Sequence, residues 1–193
     1  MPPLSRPDRP LSVPLPPRMG TVAAETDVLV VGGGPAGLGA ALGAAEAGAD
    51  VVLVERYGFL GGNATVSLVM PLMSFHTRRE AAKAASDGEV AIMPTDHGPG
   101  DPVVAGVLQR LLERLVATGG AVEPSARTGY TVPFDPEDYK LTFLDLLDEA
   151  GVRFLFHAFA SGVIGEPEVE GVVFETKSGP VVVRAAVVVD CTG

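Results

Sequence analysis

At 193 residues, 47% hydrophobic and 20% charged, the chain is long enough to bury a core of its own. Its net charge of −10, from 14 basic against 24 acidic side chains, argues against nucleic acid and against an anionic membrane surface as the main partner. Cys191 is the single cysteine, which excludes an internal disulfide and fits a reducing compartment. No apolar run approaches the ~20 residues of a membrane span. No charged-then-apolar leader opens the sequence, so the expected location is cytoplasmic.

Residues 1–25 hold seven prolines, at Pro2, Pro3, Pro7, Pro10, Pro14, Pro16 and Pro17. That density prevents helix and central strand, so the segment reads as a disordered or polyproline-like tail. It serves either as an extension preceding a start at Met19, or as a proline-rich ligand or transit peptide.

From Asp27 the pattern changes. Val28 to Val31 is a short aliphatic run typical of a strand buried on both faces. It leads directly into Gly32-x-Gly34-x-x-Gly37 and an alanine-rich helix pattern that reaches about Ala47. Gly32 allows a tight turn out of the strand. Gly34 lets a pyrophosphate approach the backbone, and Gly37 lets the helix lie close on the sheet. The helix N-terminus offers N–H groups and a partial positive charge to phosphates.

A second strand, Val51 to Val54, ends in Glu55, where a dinucleotide fold needs a carboxylate for the adenosine ribose. That acid repels a 2′-phosphate and disfavours NADP. The fingerprint alone does not separate FAD from NAD, and a tight βαβ turn that binds nothing has the same outline.

About a hundred residues then separate Glu55 from the next core strand, expected at Val152 to Phe156. A plain dinucleotide fold needs only a helix of ~10–15 residues there. The chain therefore carries a large insertion, taken as a cap-like segment over residues 66–132. Just before it, Gly61-Gly62-Asn63 is another place where backbone can approach a ligand, or simply a turn.

Ala81 to Gly100 reads as a mobile surface segment. Val103 to Thr118 has helical spacing, with Asp101 as N-cap and Gly119-Gly120 as the stop. A second helix starts at Asp135-Pro136-Glu137-Asp138 and runs to Ala150, with Leu141, Phe143, Leu144, Leu147 and Ala150 as its buried side. Gly171 to Thr176 and Pro180 to Ala185 read as a hairpin turning at Lys177-Ser178-Gly179, and Ala186 to Asp190 as a separate final strand.

Other chemistry finds little support. His76, His97 and His157 are scattered, and no His, Cys or carboxylate cluster has metal-ligand spacing. Ser74, Ser86, Ser125 and Ser161 lack a nucleophile elbow. His76 follows an apolar run and could face a cofactor from the insertion, or be a turn histidine.

Four stretches together resemble a known family. They are Asp27 to Gly37, Val54-Glu-Arg-Tyr-Gly-Phe-Leu-Gly-Gly-Asn-Ala-Thr65, Pro133-Phe-Asp-Pro136, and Val187-Val-Val-Asp-Cys-Thr-Gly193. They are similar to the FAD-dependent oxidoreductases, akin to the succinate dehydrogenase and fumarate reductase flavoproteins, over residues 26–193.

The resemblance implies an α/β, Rossmann-like, three-layer FAD-binding fold with an antiparallel β excursion and an inserted helical segment. Residues 26–65 and 133–193 would form the FAD-binding domain. It implies that Gly32, Gly34, Pro35, Ala36 and Gly37 hold the pyrophosphate, and that Glu55 holds the ribose with Arg56 beside the adenine end. Gly61, Gly62, Asn63 and Ala64 would pass near the pyrophosphate, ribityl chain or flavin. Ala160 to Val163 would meet the adenine edge, and Thr192-Gly193 would approach the flavin chain.

Cys191 stands where the family more often has alanine, and packing explains it better than redox chemistry. Family members continue beyond this point into a substrate domain, so the fold is expected to be C-terminally incomplete, with catalytic acid–base groups elsewhere. The expected chemistry is flavin-mediated redox work on a small-molecule substrate that the motifs do not identify. The alternatives are a non-catalytic nucleotide-binding remnant and an NAD-dependent reductase.

Overall fold

Six strands form one sheet in the computed structural model, which describes residues 16–73, 104–125 and 128–193. The strands are β1 (Thr21–Val31), β2 (Val51–Val54), β3 (Arg153–Leu155), β4 (Phe159–Ile164), β5 (Gly171–Thr176) and β6 (Gly179–Asp190). Their order across the sheet is β3-β2-β1-β6-β5-β4. The first four of these run parallel, and β5 and β4 complete the sheet antiparallel. Helices α1 (Pro35–Glu46), α2 (Val107–Ala117) and α3 (Pro136–Glu149) supply the helical layer.

The aliphatic runs of β1 and β2 are buried on both faces because each face has its own cover. Val30, Val51 and Leu53 join Leu38 and Leu42 of α1, Leu115 of α2, and Phe143 and Leu147 of α3 in one cluster. The alternate residues Leu29, Val31, Val52 and Val54 join Val172, Phe174 and Val183 of the antiparallel excursion in another. A period of two delivers successive side chains to opposite faces, so a strand between two apolar layers has no polar position left. All four residues of β2 are buried.

Three boundaries differ from the sequence reading. β1 starts at Thr21, inside the stretch read as a tail, because Thr21 to Thr26 pair with Val181 to Ala185 of β6, which gives this extension a partner. β6 is one strand of 12 residues rather than two. No breaker interrupts Ala185-Ala186, and β1 pairs with it from Val181 to Asp190 while β5 uses only Gly179 to Arg184 on its other side. The third core strand is short, lies at the sheet edge beside β2, and is half exposed. Residues 1–15, the segment Ala81 to Gly100, His76, His97, Ser74, Ser86 and the Asp101 cap lie outside the described residues.

Helix α3 begins as its sequence predicts. The Asp135 carboxylate accepts the N–H groups of Glu137 at 2.7 Å and Asp138 at 3.3 Å, with Pro136 in the first turn. Its buried side is rotated from the expected one: Tyr139, Thr142, Phe143, Leu146 and Leu147 face inward, and Leu141 is 60% exposed. The Tyr139 ring lies 4.9 Å from Phe134 and 5.9 Å from Phe143, and burial pushes its hydroxyl up to about 12, so it stays protonated.

Helix α2 starts at Val107, four residues later than expected, and is tied to its neighbours by Arg110–Glu46 and Arg114–Glu149 pairs. These ion pairs are exposed and screened, so they orient the helix more than they stabilise it. Isolated bridges pair Leu72 with Val132, both within the stretch read as an insertion, and Ala121 with Phe134 just outside it. No helix among the described residues is long and apolar enough to cross a membrane.

Two substitutions on α3 separate the observed face from the expected one. Phe143→Ala should cost ~3–5 kcal/mol by urea denaturation, because it empties a fully buried ring site. Leu141→Ser should move stability by less than about 0.5 kcal/mol in the same assay. Equal losses from both would contradict the packing described.

Candidate functional site

The C-terminal ends of β1, β2 and β6 meet without side chains between them. A Cβ on Gly32, whose φ is +106°, would stand 2.5 Å from the Cys191 carbonyl oxygen. On Gly37 it would stand 2.0 Å from the Gly32 carbonyl oxygen. Gly33 is constrained less rigidly, since the atom 2.5 Å from where its Cβ would be is Leu60 Cδ2, the end of a buried side chain. Packing inside the protein therefore accounts for these three glycines.

Gly34 is different. A Cβ there would meet nothing nearer than the Gly62 Cα at 3.8 Å, and its backbone, at φ −80° and ψ −174°, suits any residue. Neither protein packing nor backbone geometry requires glycine at this position. The space over Gly34 opens into a cleft of about 750 Å³ at the mouth of the sheet.

The N-terminus of α1 faces that cleft through Gly34, Pro35 and Ala36. Unlike α3, it has no side-chain cap and no acid in its first turn. Its leading N–H groups, which have no intrahelical acceptor, keep their partial positive charge for an anion.

Glu55 closes the far side of the loop. Its carboxylate is buried and accepts two backbone hydrogen bonds, one from the Gly33 N–H at 2.6 Å and one from the Tyr57 N–H at 2.9 Å. Carboxylate oxygens have further lone pairs, and Glu55 also lines the cleft, so it can accept hydroxyl groups as well. Arg56 stacks over the Tyr57 ring at 4.7 Å, with its Nη2 donating to the Tyr57 hydroxyl at 2.9 Å, and it presents a cation at the cleft wall.

The cleft brings together Gly32, Gly34, Pro35, Ala36, Glu55, Arg56, Gly62, Asn63, Thr192 and Gly193 from the expected set. Three others stand behind it. Gly37 packs under the Gly32 carbonyl, as above. The Gly61 N–H donates to the Gly33 carbonyl at 2.8 Å. Ala64 is buried in the helix-side core.

Gly62 has φ +50°, and a Cβ on it would come within 2.8 Å of the Gly34 Cα, so loop-on-loop packing already explains that glycine. Ala160, Gly162 and Val163 line the same cleft. His157 is exposed, with φ 56°, and its N–H donates to the Tyr57 carbonyl at 3.1 Å.

Sequence reasoning missed Tyr57, Ser67 and Asp190 in the cleft wall. Asp190 had a local signal, since an Asp-x-Thr turn lets the carboxylate bond the backbone two residues on. Its Oδ1 accepts the Thr192 N–H at 2.9 Å and the Thr192 hydroxyl at 2.8 Å. Those bonds hold its carboxyl below the usual range.

Burial and then the Asp190 charge push the Cys191 thiol up, so it is not a ready thiolate, in keeping with a packing role. Among the described residues no group of His, Cys, Asp and Glu could hold a metal ion. A second, shallower depression of about 610 Å³ is lined by Glu25, Glu166, Glu168 and Glu170 against Arg184. That excess of carboxylates repels phosphate.

A parallel βαβ unit whose glycine loop, uncapped helix end and buried acid share one cleft defines a nucleotide-binding α/β protein. Residues 27–193 match the family model described as FAD dependent oxidoreductase, and the chain belongs to that family.

The chain is 32% identical over 169 residues to digeranylgeranylglycerophospholipid reductase 1 of Methanopyrus kandleri, covering 88% of this chain and 40% of that protein. It is 30% identical over 187 residues to thiamine thiazole synthase of Aeropyrum pernix, covering 87% of this chain and 68% of that protein. A shorter match, 34% over 85 residues, joins it to a cytochrome fumarate reductase of Shewanella frigidimarina, with 42% of this chain and 15% of that protein covered. Among solved structures, THI4 of Thermovibrio ammonificans shares the fold with a TM-score of 0.54 at 24% identity, over 88% of this chain and 58% of that one.

The two motif glycines should respond in opposite ways in ligand-free protein. Gly37→Ala forces a Cβ into a backbone carbonyl and should lower the thermal midpoint by several degrees. Gly34→Ala should leave the midpoint within about a degree, because nothing in the protein occupies that space. Equal destabilisation would show that packing, not an open cradle, fixes Gly34.

Proposed function

We propose that this chain is the nucleotide-holding portion of an FAD-dependent oxidoreductase acting on a small molecule. The observation that carries the reading is the space left over Gly34, at an uncapped helix end, in a cleft that also exposes a buried carboxylate. A pyrophosphate fits that combination of room and positive potential.

In this reading the Gly32–Gly34 loop with Pro35 and Ala36 holds the pyrophosphate, and Gly37 keeps the helix close enough to do so. Glu55 takes the adenosine ribose hydroxyls, and its charge rejects a 2′-phosphate. Arg56 and the Ala160 to Val163 segment flank the adenine. Gly61 to Ala64, with Thr192 and Gly193, border the path toward the ribityl chain and flavin.

Bound FAD supplies hydride or electron transfer through its isoalloxazine. The residues of this chain bind it, orient it and keep water from the sheet mouth. Two of the relatives are named reductases, of a geranylgeranyl lipid and of fumarate, and a third is named a synthase. Redox chemistry is the reading supported by the family, while the substrate stays at the level of a small molecule.

Purified protein should be yellow, with absorbance near ~450 nm. Gly34→Leu, which fills the cradle, should give folded but colourless protein. A colourless wild type that binds ADP but no flavin would overturn the flavin reading. So would a Gly34→Leu variant that keeps its cofactor as firmly as the wild type.

A further inference from the structure

Glu55 is tied down at every polar atom it has. Its N–H donates to the Leu155 carbonyl at 2.9 Å, and its own carbonyl accepts the Ala158 N–H at 3.1 Å. Its carboxylate accepts the Gly33 N–H at 2.6 Å and the Tyr57 N–H at 2.9 Å. Gly33 is held just as completely. Its carbonyl accepts the Gly61 N–H at 2.8 Å, and Leu60 blocks its Cα from behind. A continuous chain of hydrogen bonds thus runs from edge strand β3 through Glu55 to the first glycine loop and on to the second.

We propose that Glu55 is a positioning residue for the phosphate loop, independent of any ribose. Its carboxylate holds the Gly32–Gly33 peptide, one before the peptide that carries the Gly34 N–H, so the loop's grip on a pyrophosphate depends on Glu55 even when the ligand has no sugar. The inference rests on the nucleotide-binding reading above and adds a second duty to the acid assigned there to the ribose.

The side-chain chemistry makes the duty specific. Only a carboxylate offers acceptors to both N–H groups at once. The amide of a glutamine must turn its NH₂ toward one of them, leaving the Gly33 or Tyr57 N–H without an acceptor in a buried setting. Aspartate is one methylene short of spanning the same gap.

The sign of the effect separates this role from a ribose contact alone. Glu55→Gln removes a negative charge beside the phosphate site, which by Coulomb attraction alone leaves pyrophosphate affinity unchanged or raised. A loop that has lost its clamp binds pyrophosphate more weakly.

The test is calorimetric titration of the full chain, freed of bound cofactor, with inorganic pyrophosphate, ADP and FAD. Wild type, Glu55→Gln and Glu55→Asp are compared, with circular dichroism confirming the fold. Glu55→Gln should weaken inorganic pyrophosphate by about tenfold or more, alongside ADP and FAD, and Glu55→Asp should not restore it. Independently of any variant, the Gly33 amide of ligand-free wild type should be protected from hydrogen exchange.

A Glu55→Gln variant that loses ADP but keeps or gains pyrophosphate affinity overturns the proposal. So does a wild type that binds ADP but no inorganic pyrophosphate, or a Gly33 amide that exchanges freely. A wild type that binds neither ADP nor FAD sinks the nucleotide-binding reading itself, which is a separate result.

Discussion

The site depends on three backbone segments lying closer together than side chains permit. Gly32 rests on the Cys191 carbonyl, Gly37 on the Gly32 carbonyl, and Gly62 on Gly34. These contacts bring the ends of β1 and β6, the start of α1 and the loop after β2 to one point. A Cβ at Gly32, Gly37 or Gly62 would push one of those segments away, and the cleft would lose a wall.

Around that point the protein spends its polar groups unevenly. Backbone donors on the protein side of the glycine loop are matched, with Gly33 on Glu55 and Gly61 on Gly33. At α3 an aspartate caps the helix end, and acids fill the first turn. The N-terminus of α1 is left without either. A helix end stripped of its own compensation, pointing into a cleft, carries a standing preference for an anion. The same cleft is bordered by Asp190, held ionised by its bonds to Thr192. Phosphate is therefore favoured at the helix end, and hydroxyl groups are favoured beside Asp190 and Glu55.

The chain belongs to the FAD dependent oxidoreductase family and shares its fold with the Thermovibrio protein. The chain spans 40% of the Methanopyrus reductase and 15% of the fumarate reductase it matches. The relatives named here differ in the reactions their names describe. That is expected where one cofactor-binding framework serves many chemistries.

By itself the sequence determined the local choices. Glycine spacing between a β-branched run and an alanine-rich helix, an acid closing the second strand, and Asp135-Pro136 opening α3 are all short-range signals, and each appears where its chemistry predicts. Tertiary structure decided what depends on distant partners. Thr21 to Glu25 became strand because β6 runs alongside, and Leu141 faces water because α3 turns Tyr139 and Leu146 inward instead. The Glu55 clamp on Gly33 joins residues 22 apart, and the backbone partners of Gly32, Gly37 and Gly62 emerged only when their would-be Cβ atoms had neighbours to meet. Periodicity and spacing report what the chain does to itself over a few residues. Which face is covered, and by what, is fixed by segments whose approach no local pattern encodes.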